Sequence, residues 1–221
     1  MINKRKRFAL NSATYLVLVV AAVLYSLPTL AMVGTAFKGD GKALSDTGLF
    51  ASEPTFSAFK AVLGSDFMNT AYNSMKIGLV VTLLVVVLAV MAGYALSRFK
   101  SKLFSGYLTG MLVLQMFPLM LRLIPLFIIF KNLGIQNTQL SLVISYTAIN
   151  LPFSILLLKG FFDTISVEIE ESAMIDGCNR WQSMVRIVLP VAAAGIATVA
   201  IFTFLNVWNE YTFANVLVND P

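Results

Sequence analysis

Charged residues punctuate this chain at long intervals. None falls within residues 8–37, 77–97, 103–121, 132–158 or 187–209. A helix rises about 1.5 Å per residue, so roughly 20 mostly apolar residues cross the hydrocarbon of a bilayer. Each charge-free run is about long enough. The pattern predicts spans near 14–36, 74–96, 106–129, 139–160 and 191–210, the last able to continue through the apolar stretch ending at Val218. The fold class that follows is all-α, a polytopic transmembrane helical bundle with five spans visible.

The connections between the runs differ in character. Residues 37–68 are rich in Gly, Ser, Asp and Thr with Pro54 among them, and read as an irregular solvated loop with a short helix near Phe56–Leu63. Residues 161–190 make a connection of thirty residues, long for a plain helix–helix link. Ser166 is a plausible N-cap for 167–175, and Glu168, Glu170 and Glu171 crowd the early turns, where the helix dipole favours negative charge. Asp176-Gly177 follows as a left-handed stop. Residues 180–189 can form a second short helix, with Trp181, Met184, Val185 and Val188 on one face. Pro190 suits the first turn of the fifth span. Helices this short need something packed against them. The plain alternative is an amphipathic loop lying on the membrane surface.

Composition supports lipid as the solvent. Of 221 residues, 58% are hydrophobic and 12% charged, and the mean hydropathy is +0.81. A soluble domain carries roughly 25% charged residues. The net charge of +5 does not point to nucleic acid, because the basic residues gather at the ends of apolar runs. With the N-terminus in the cytoplasm, the inside segments hold Lys4, Arg5, Lys6, Arg7, Arg98, Lys100, Lys102, Lys159, Arg180 and Arg186. The outside segments hold Lys38, Lys42, Lys60 and Lys131. That imbalance sets the orientation, with 37–68 external and 161–190 cytoplasmic. The basic head before residue 14 resembles that of a signal peptide. A cleaved signal has an apolar core of only roughly 7–15 residues, so an uncleaved span is expected.

The chemistry available is narrow. Cys178 is the sole cysteine and there is no histidine. Disulfides within the chain, imidazole catalysis and histidine metal ligation are thereby excluded. No G-x-x-x-x-G-K-[ST] run occurs. The fragment Gly39-Asp40-Gly41-Lys42-Ala43 lacks its spacing and hydroxyl.

Glu171-Ser172-Ala173, three residues, Gly177, nine residues and then Ile187-Val188-Leu189-Pro190 resembles the EAA motif of permease subunits of binding-protein-dependent ABC importers. That motif reads E-A-A, three residues, G, nine residues, I-x-L-P. Ser172 is the one departure. The sugar-importer branch is similar at Ala92–Phe99, Met116-Phe117-Pro118, Ile124-Pro125-Leu126, Asn132–Ile135 and Trp208-Asn209-Glu210-Tyr211. The likeness runs from about residue 66 to the end and is greatest to the smaller maltose-importer membrane subunit.

The resemblance implies a type I importer permease, a bacterial inner-membrane protein with no catalytic, metal or cofactor site of its own. It divides the chain into a basic cytoplasmic N-terminus (1–13), a first span (14–36), an external loop (37–68) and a permease core (69–221). The family has six core spans, so a sixth is expected to be missing here. It implies that Glu171, Ser172, Ala173, Asp176, Gly177, Ile187, Leu189 and Pro190 dock against a separate ABC ATPase dimer that holds ATP and Mg. The other implied partners are a second homologous permease, an extracellular solute-binding protein, membrane lipid and a small polar substrate, a sugar by resemblance. A push on the loop would tilt the fifth span through Pro190.

Candidate pathway residues are Arg122, Asn150, Asn206 and Asn209. An arginine within a span is a functional candidate, but Pro118 and Pro125 interrupt that span, and Arg122 is equally able to snorkel or meet a partner. Asn206, Asn209 and Glu210 with Trp208 fit an interfacial cap as well as a pathway lining. Asn150 lies close to Pro152, which frees backbone groups. A secondary transporter would need carboxylates at mid-membrane, and spans one to four hold none. A non-transporting scaffold leaves the EAA spacing unexplained.

Overall fold

The structure is a computed structural model and describes residues 4–39, 41–99 and 101–218. Lys100, counted above among the inside charges, lies outside them, as do residues 1–3 of the basic N-terminus and the final Asn219-Asp220-Pro221. The elements in order are α1 (Lys4–Ala36), α2 (Lys42–Ser45), α3 (Ser57–Leu63), α4 (Phe67–Arg98), α5 (Lys102–Met116), α6 (Leu119–Asn132), α7 (Gln139–Asp163), α8 (Val167–Ile175), α9 (Arg180–Ser183), a π turn (Met184–Val188), α10 (Leu189–Val191), α11 (Ala193–Trp208) and α12 (Thr212–Leu217).

Among the described residues, Asn11–Ala36, α4 and α7 are each long and apolar enough to cross a bilayer unbroken. The other two predicted spans are bent pairs. Between α5 and α6 the axis turns by 101°, and between Arg180–Val191 and α11 by 74°. The predicted span at 106–129 is therefore interrupted, as its prolines suggest, and the cause is local. Pro118 forces Phe117 into extended backbone (φ −71°, ψ 129°), so α5 must end there. Pro125 sits inside α6 without ending it.

The chain forms two compact units, residues 1–69 and 70–221. In the first unit, the Asn11–Ala36 stretch of α1 presents its apolar side chains outward, as a helix solvated by lipid does. The loop after it is more ordered than its polar composition predicts. Lys38 is buried, and its ammonium donates to the carbonyl oxygens of Asp46 and, at 2.9 Å, Gly48. The Asp46 carboxylate accepts from the backbone N–H of Gly48 and Ser52 and from the Ser52 hydroxyl, at 3.0–3.1 Å. These bonds, the backbone N–H of Ser52 foremost, hold the Asp46 carboxyl below its usual range. Phe37, Phe56 and Phe59 pack ring against ring at 5.4–6.0 Å. The short helix α3 lies where the sequence places it.

The second unit is built around α7. One apolar cluster joins Ala89, Ile155, Leu158, Phe162, Val188 and Val199, and the other joins Val81, Val85, Leu142, Tyr146, Phe213 and Leu217. The buried row Ile77-Val81-Val85-Ala89 on α4 repeats every four residues, the period of one helix face. Where α4 crosses α7, a Cβ on Gly93 would stand 3.2 Å from the Lys159 nitrogen and 3.3 Å from the Ile155 carbonyl oxygen. Only glycine permits that approach without a shift. The crossing sets the position of everything at this end of α4.

Replacing Lys38 with Met strips two carbonyl oxygens of their buried donor, at a cost of about 1–3 kcal/mol. Amide exchange across residues 45–55 should rise by roughly tenfold or more, which exchange mass spectrometry on the protein in nanodiscs would read.

Candidate coupling loop and span polar groups

Residues 164–192 form a hairpin of two short helical pieces. The Ser166 hydroxyl accepts from the Glu168 N–H at 3.2 Å and starts α8. At the other end Gly177 N–H donates to the Met174 carbonyl and Cys178 N–H to the Ala173 carbonyl, the paired bonds of a Schellman stop. Gly177 takes φ of +92°, which L side chains rarely adopt. A capping box unnoticed in the sequence then opens α9. Asn179 Oδ1 accepts from Gln182 N–H at 2.8 Å while Gln182 Oε1 accepts from Asn179 N–H at 2.9 Å.

The four apolar residues expected on one face divide into two rows. Met184 and Val188 are buried, while Trp181 and Val185 are exposed. Successive helical residues lie about 100° apart, so 184/188 and 181/185 are neighbouring rows and only one faces the core. Pro190 also differs from expectation. It belongs to the end of the loop helix, and the fifth span begins after the break at Ala192. Proline has no N–H to give the Arg186 carbonyl. The backbone widens just before it, with the Leu189 N–H reaching the Met184 carbonyl five residues back.

Adjacent glutamates in α8 point opposite ways. Glu171 is exposed; Glu170 retains only 4% exposure. The buried carboxylate meets three donors. Arg98 Nε and Nη2 each lie 2.5 Å from Oε1, and the Tyr94 hydroxyl donates to Oε2 at 2.7 Å. Arg98 also donates to the carbonyls of Phe162 (3.0 Å) and Ile165 (3.2 Å) and to the Ser97 hydroxyl (2.9 Å). The first two are carbonyls at the C-terminal end of α7 and just beyond it, where a cation complements the helix dipole. Ser97 in turn donates to Asp163 at 2.6 Å, and Lys159 donates to the other Asp163 oxygen at 2.6 Å. Tyr94 also meets the Phe162 ring edge-on at 6.0 Å. Sequence reading missed this network. The available signal was a lone arginine in the last turn of an apolar helix and a glutamate three residues before Ala173, on the same inward row.

Of the residues named for docking, Glu171, Ser172, Asp176, Gly177 and Pro190 are exposed, Ile187 and Leu189 are half-buried, and Ala173 is buried against the body. Ile175 (86% exposed) and Trp181 (62%) stand out beside them. Cys178 is half-buried in the turn.

The pathway candidates do not converge on one place. Asn206 Nδ2 donates to Asn150 Oδ1 at 3.3 Å, joining α11 to α7, and Asn150 Nδ2 donates back to the Tyr146 carbonyl. Asn209 turns onto the Leu205 carbonyl of its own helix. Arg122 donates to the Phe117 carbonyl at 3.1 Å, an acceptor freed by the Pro118 break. Its Nε is buried without a hydrogen-bond partner among the described residues. Glu210 accepts from the Tyr146 hydroxyl at 2.8 Å and from the Phe213 N–H at 3.0 Å, so it caps α12 and fastens it to α7.

A break-and-hairpin architecture of this kind has a counterpart of known structure. The fold is similar to a chain in the crystal structure of a bacterial ABC transporter involved in the import of the acidic polysaccharide alginate. The TM-score is 0.77 at 21% identity, over 99% of this chain and 77% of that one. Residues 85–221 match the family described as "Binding-protein-dependent transport system inner membrane component". The chain belongs to that family. It is an ABC importer permease, multi-pass in the inner membrane. Its similarity to the Escherichia coli inner membrane ABC transporter permease protein YcjP is 33% identity, over 97% of this chain and 78% of that one. To the diacetylchitobiose uptake system permease protein DasC of Streptomyces coelicolor it is 34%, over 87% and 71%.

Arg98→Met alone would leave Glu170 buried and unpaired, a loss of about 3–5 kcal/mol, whereas Arg98→Met with Glu170→Leu removes both charges together. The single variant should lower the thermal midpoint of the solubilised permease markedly, and the double variant should recover most of it in the same melting measurement.

Proposed function

We propose that this permease forms half of the translocation pathway of an importer for a sugar or oligosaccharide, and that a separate ATPase drives it through the 161–190 loop. The observation that carries the reading is the split between Glu170 and Glu171. One glutamate anchors α8 to the body of the permease, which leaves its neighbour, with Ile175 and Trp181, free on a surface that is rigidly held. A rigid apolar and acidic ridge suits docking, because little ordering entropy remains to be lost on binding.

In this reading Glu171 meets a basic group of the ATPase, and the exposed Gly177 turn allows close approach. ATP and Mg bind the ATPase dimer, and this chain contributes no nucleotide site. A second, homologous permease completes the pathway and an extracellular solute-binding protein delivers the substrate. The substrate class draws support from relatives whose names specify it, such as the diacetylchitobiose permease DasC and the sulfoquinovosyl glycerol permease SmoH. The Asn150–Asn206 pair offers amide donors and acceptors of the kind that hydrogen-bond hydroxyl groups. The basic clusters at the ends of the apolar runs support a cytoplasmic N-terminus and a cytoplasmic 161–190 loop.

Two measurements test this. A Cβ at Gly177 would meet no atom within 4 Å, and although its φ of +92° strains any side chain, the strain is confined to a loop turn, so with Gly177→Trp insertion into the membrane should survive. Co-purification with the ATPase and ATP-dependent sugar uptake should both be lost. Full uptake by a stably associated Gly177→Trp complex would refute the docking assignment. For orientation, Ile175→Cys in a Cys178→Ser background should react with an impermeant maleimide in inverted vesicles. It should stay unlabelled in right-side-out ones.

A further inference from the structure

Two covalent routes and one non-covalent route lead from α8 into the membrane. Backwards along the chain, residues 164–166 join α8 to α7. Forwards, α8 reaches α11 only through the Gly177 turn, the π turn at Met184–Val188 and the 74° break at Ala192. The third route is the buried carboxylate of Glu170, which both ends of the Arg98–Tyr94 pair grip from α4.

These routes differ in stiffness. Both Glu170 oxygens are occupied, by donors from residues four apart on one helix face, so α8 cannot rotate or slide on α4 without breaking charged hydrogen bonds. The Arg98 and Glu170 side chains retain only 4% and 5% of their exposure, so water does not replace those bonds when they break. Arg98 also holds the Phe162 and Ile165 carbonyls, which fastens the α7–α8 joint to the same guanidinium. Even the far side of the hairpin leans this way, with the Arg180 guanidinium 5.5 Å above the Phe99 ring. Towards α11 the contacts are apolar, through Val188 and Ala192. Among the described residues no side-chain hydrogen bond or ion pair ties α9 or α10 to α11. Apolar surfaces slide at lower cost than a buried charge pair separates.

We propose that Arg98, Tyr94 and Glu170 clamp α8 and the last turns of α4 into one moving body, so that displacement of the loop reaches the second span directly. The fifth span then follows across a compliant joint at 184–192. Arg98, Tyr94 and Glu170 are positioning residues in this scheme. It deepens the preceding reading and rests on it, because it takes the loop to be moved by the ATPase.

The test uses the complete transporter in nanodiscs, with Cys178→Ser and spin labels at Ile169→Cys and Leu83→Cys, or at Ile169→Cys and Ile201→Cys, Ile169 lying on α8 outside the docking ridge. All three labelled positions are exposed. Double electron–electron resonance distances are taken without nucleotide and after trapping with ATP and vanadate. The α8–α4 pair should keep one distance in both states, while the α8–α11 pair shifts. With Arg98→Met and Glu170→Leu together, the α8–α4 distribution should broaden at least twofold. The same complex should hydrolyse ATP while its uptake of the transported sugar falls at least tenfold, so that ATP consumed per solute rises. A role in stability alone would lower hydrolysis and uptake together, and that result would overturn the clamp. So would an α8–α4 distance that changes as much as the α8–α11 distance in the parent. If neither pair responds to nucleotide, the ATPase-driven reading fails. The width of the α8–α4 distribution then decides the clamp: broadening in the double variant supports it and an unchanged width overturns it.

Discussion

Arg98 bonds to four other residues at once, and the geometry of this permease near its loop follows from that. Its guanidinium meets the Glu170 carboxylate, two carbonyls at the end of α7 and the Ser97 hydroxyl. A guanidinium suits the position because its five donors are fixed in a plane and cannot be deprotonated. A buried pair of this kind contributes little net stability compared with an apolar substitute. Its effect is on geometry, since only one arrangement of α4, α7 and α8 satisfies all the donors. The close crossing at Gly93 brings α4 and α7 near enough for that arrangement to exist.

The rest of the bundle obeys a different constraint. In hydrocarbon each freed backbone group needs a partner within the protein. The breaks in the spans show how this chain complies. Pro118 ends α5 and frees the Phe117 carbonyl, which Arg122 then takes up from one turn into the next helix. Asn150 and Asn209 each return to a carbonyl four residues earlier in their own helices. Glu210 receives the Phe213 N–H in the first turn of α12. Arg122 and Glu210 thus take up backbone groups released by a proline and a helix end, while Asn150 and Asn209 add a side-chain bond to carbonyls inside their own helices. Asn150 and Asn206 pair with each other across α7 and α11, while the Nε of Arg122 and the hydroxyls of Thr82, Ser145 and Thr147 are buried without a hydrogen-bond partner among the described residues.

The loop of the first unit applies the same logic on a smaller scale. A stretch of Gly, Ser and Asp has too few apolar side chains to form a core. Instead it wraps carbonyls around one buried ammonium and N–H groups around one carboxylate. Lys38 thereby acts as an internal template, with three phenylalanines packed on the neighbouring residues.

The sequence by itself determined the spans, because transfer of charge into hydrocarbon is costly enough that charge-free runs mark them. It also determined α8, its serine cap and its glycine stop, because these depend on contacts within four or five residues. The spacing of Glu171, Gly177 and Leu189-Pro190 was sufficient to indicate the family. What the tertiary structure decided is which way each of these residues faces. Glu170 and Glu171 are neighbours of one type in the same helix, and the approach of Arg98 from seventy-two residues away makes one an anchor and leaves the other free. The same holds for Trp181 against Met184, for the bend at Ala192, and for the pairing of Asn150 with Asn206. Local rules set where a helix begins and ends, but the partner of a buried polar group lies wherever packing brings a second chain segment, and no local pattern encodes that distance.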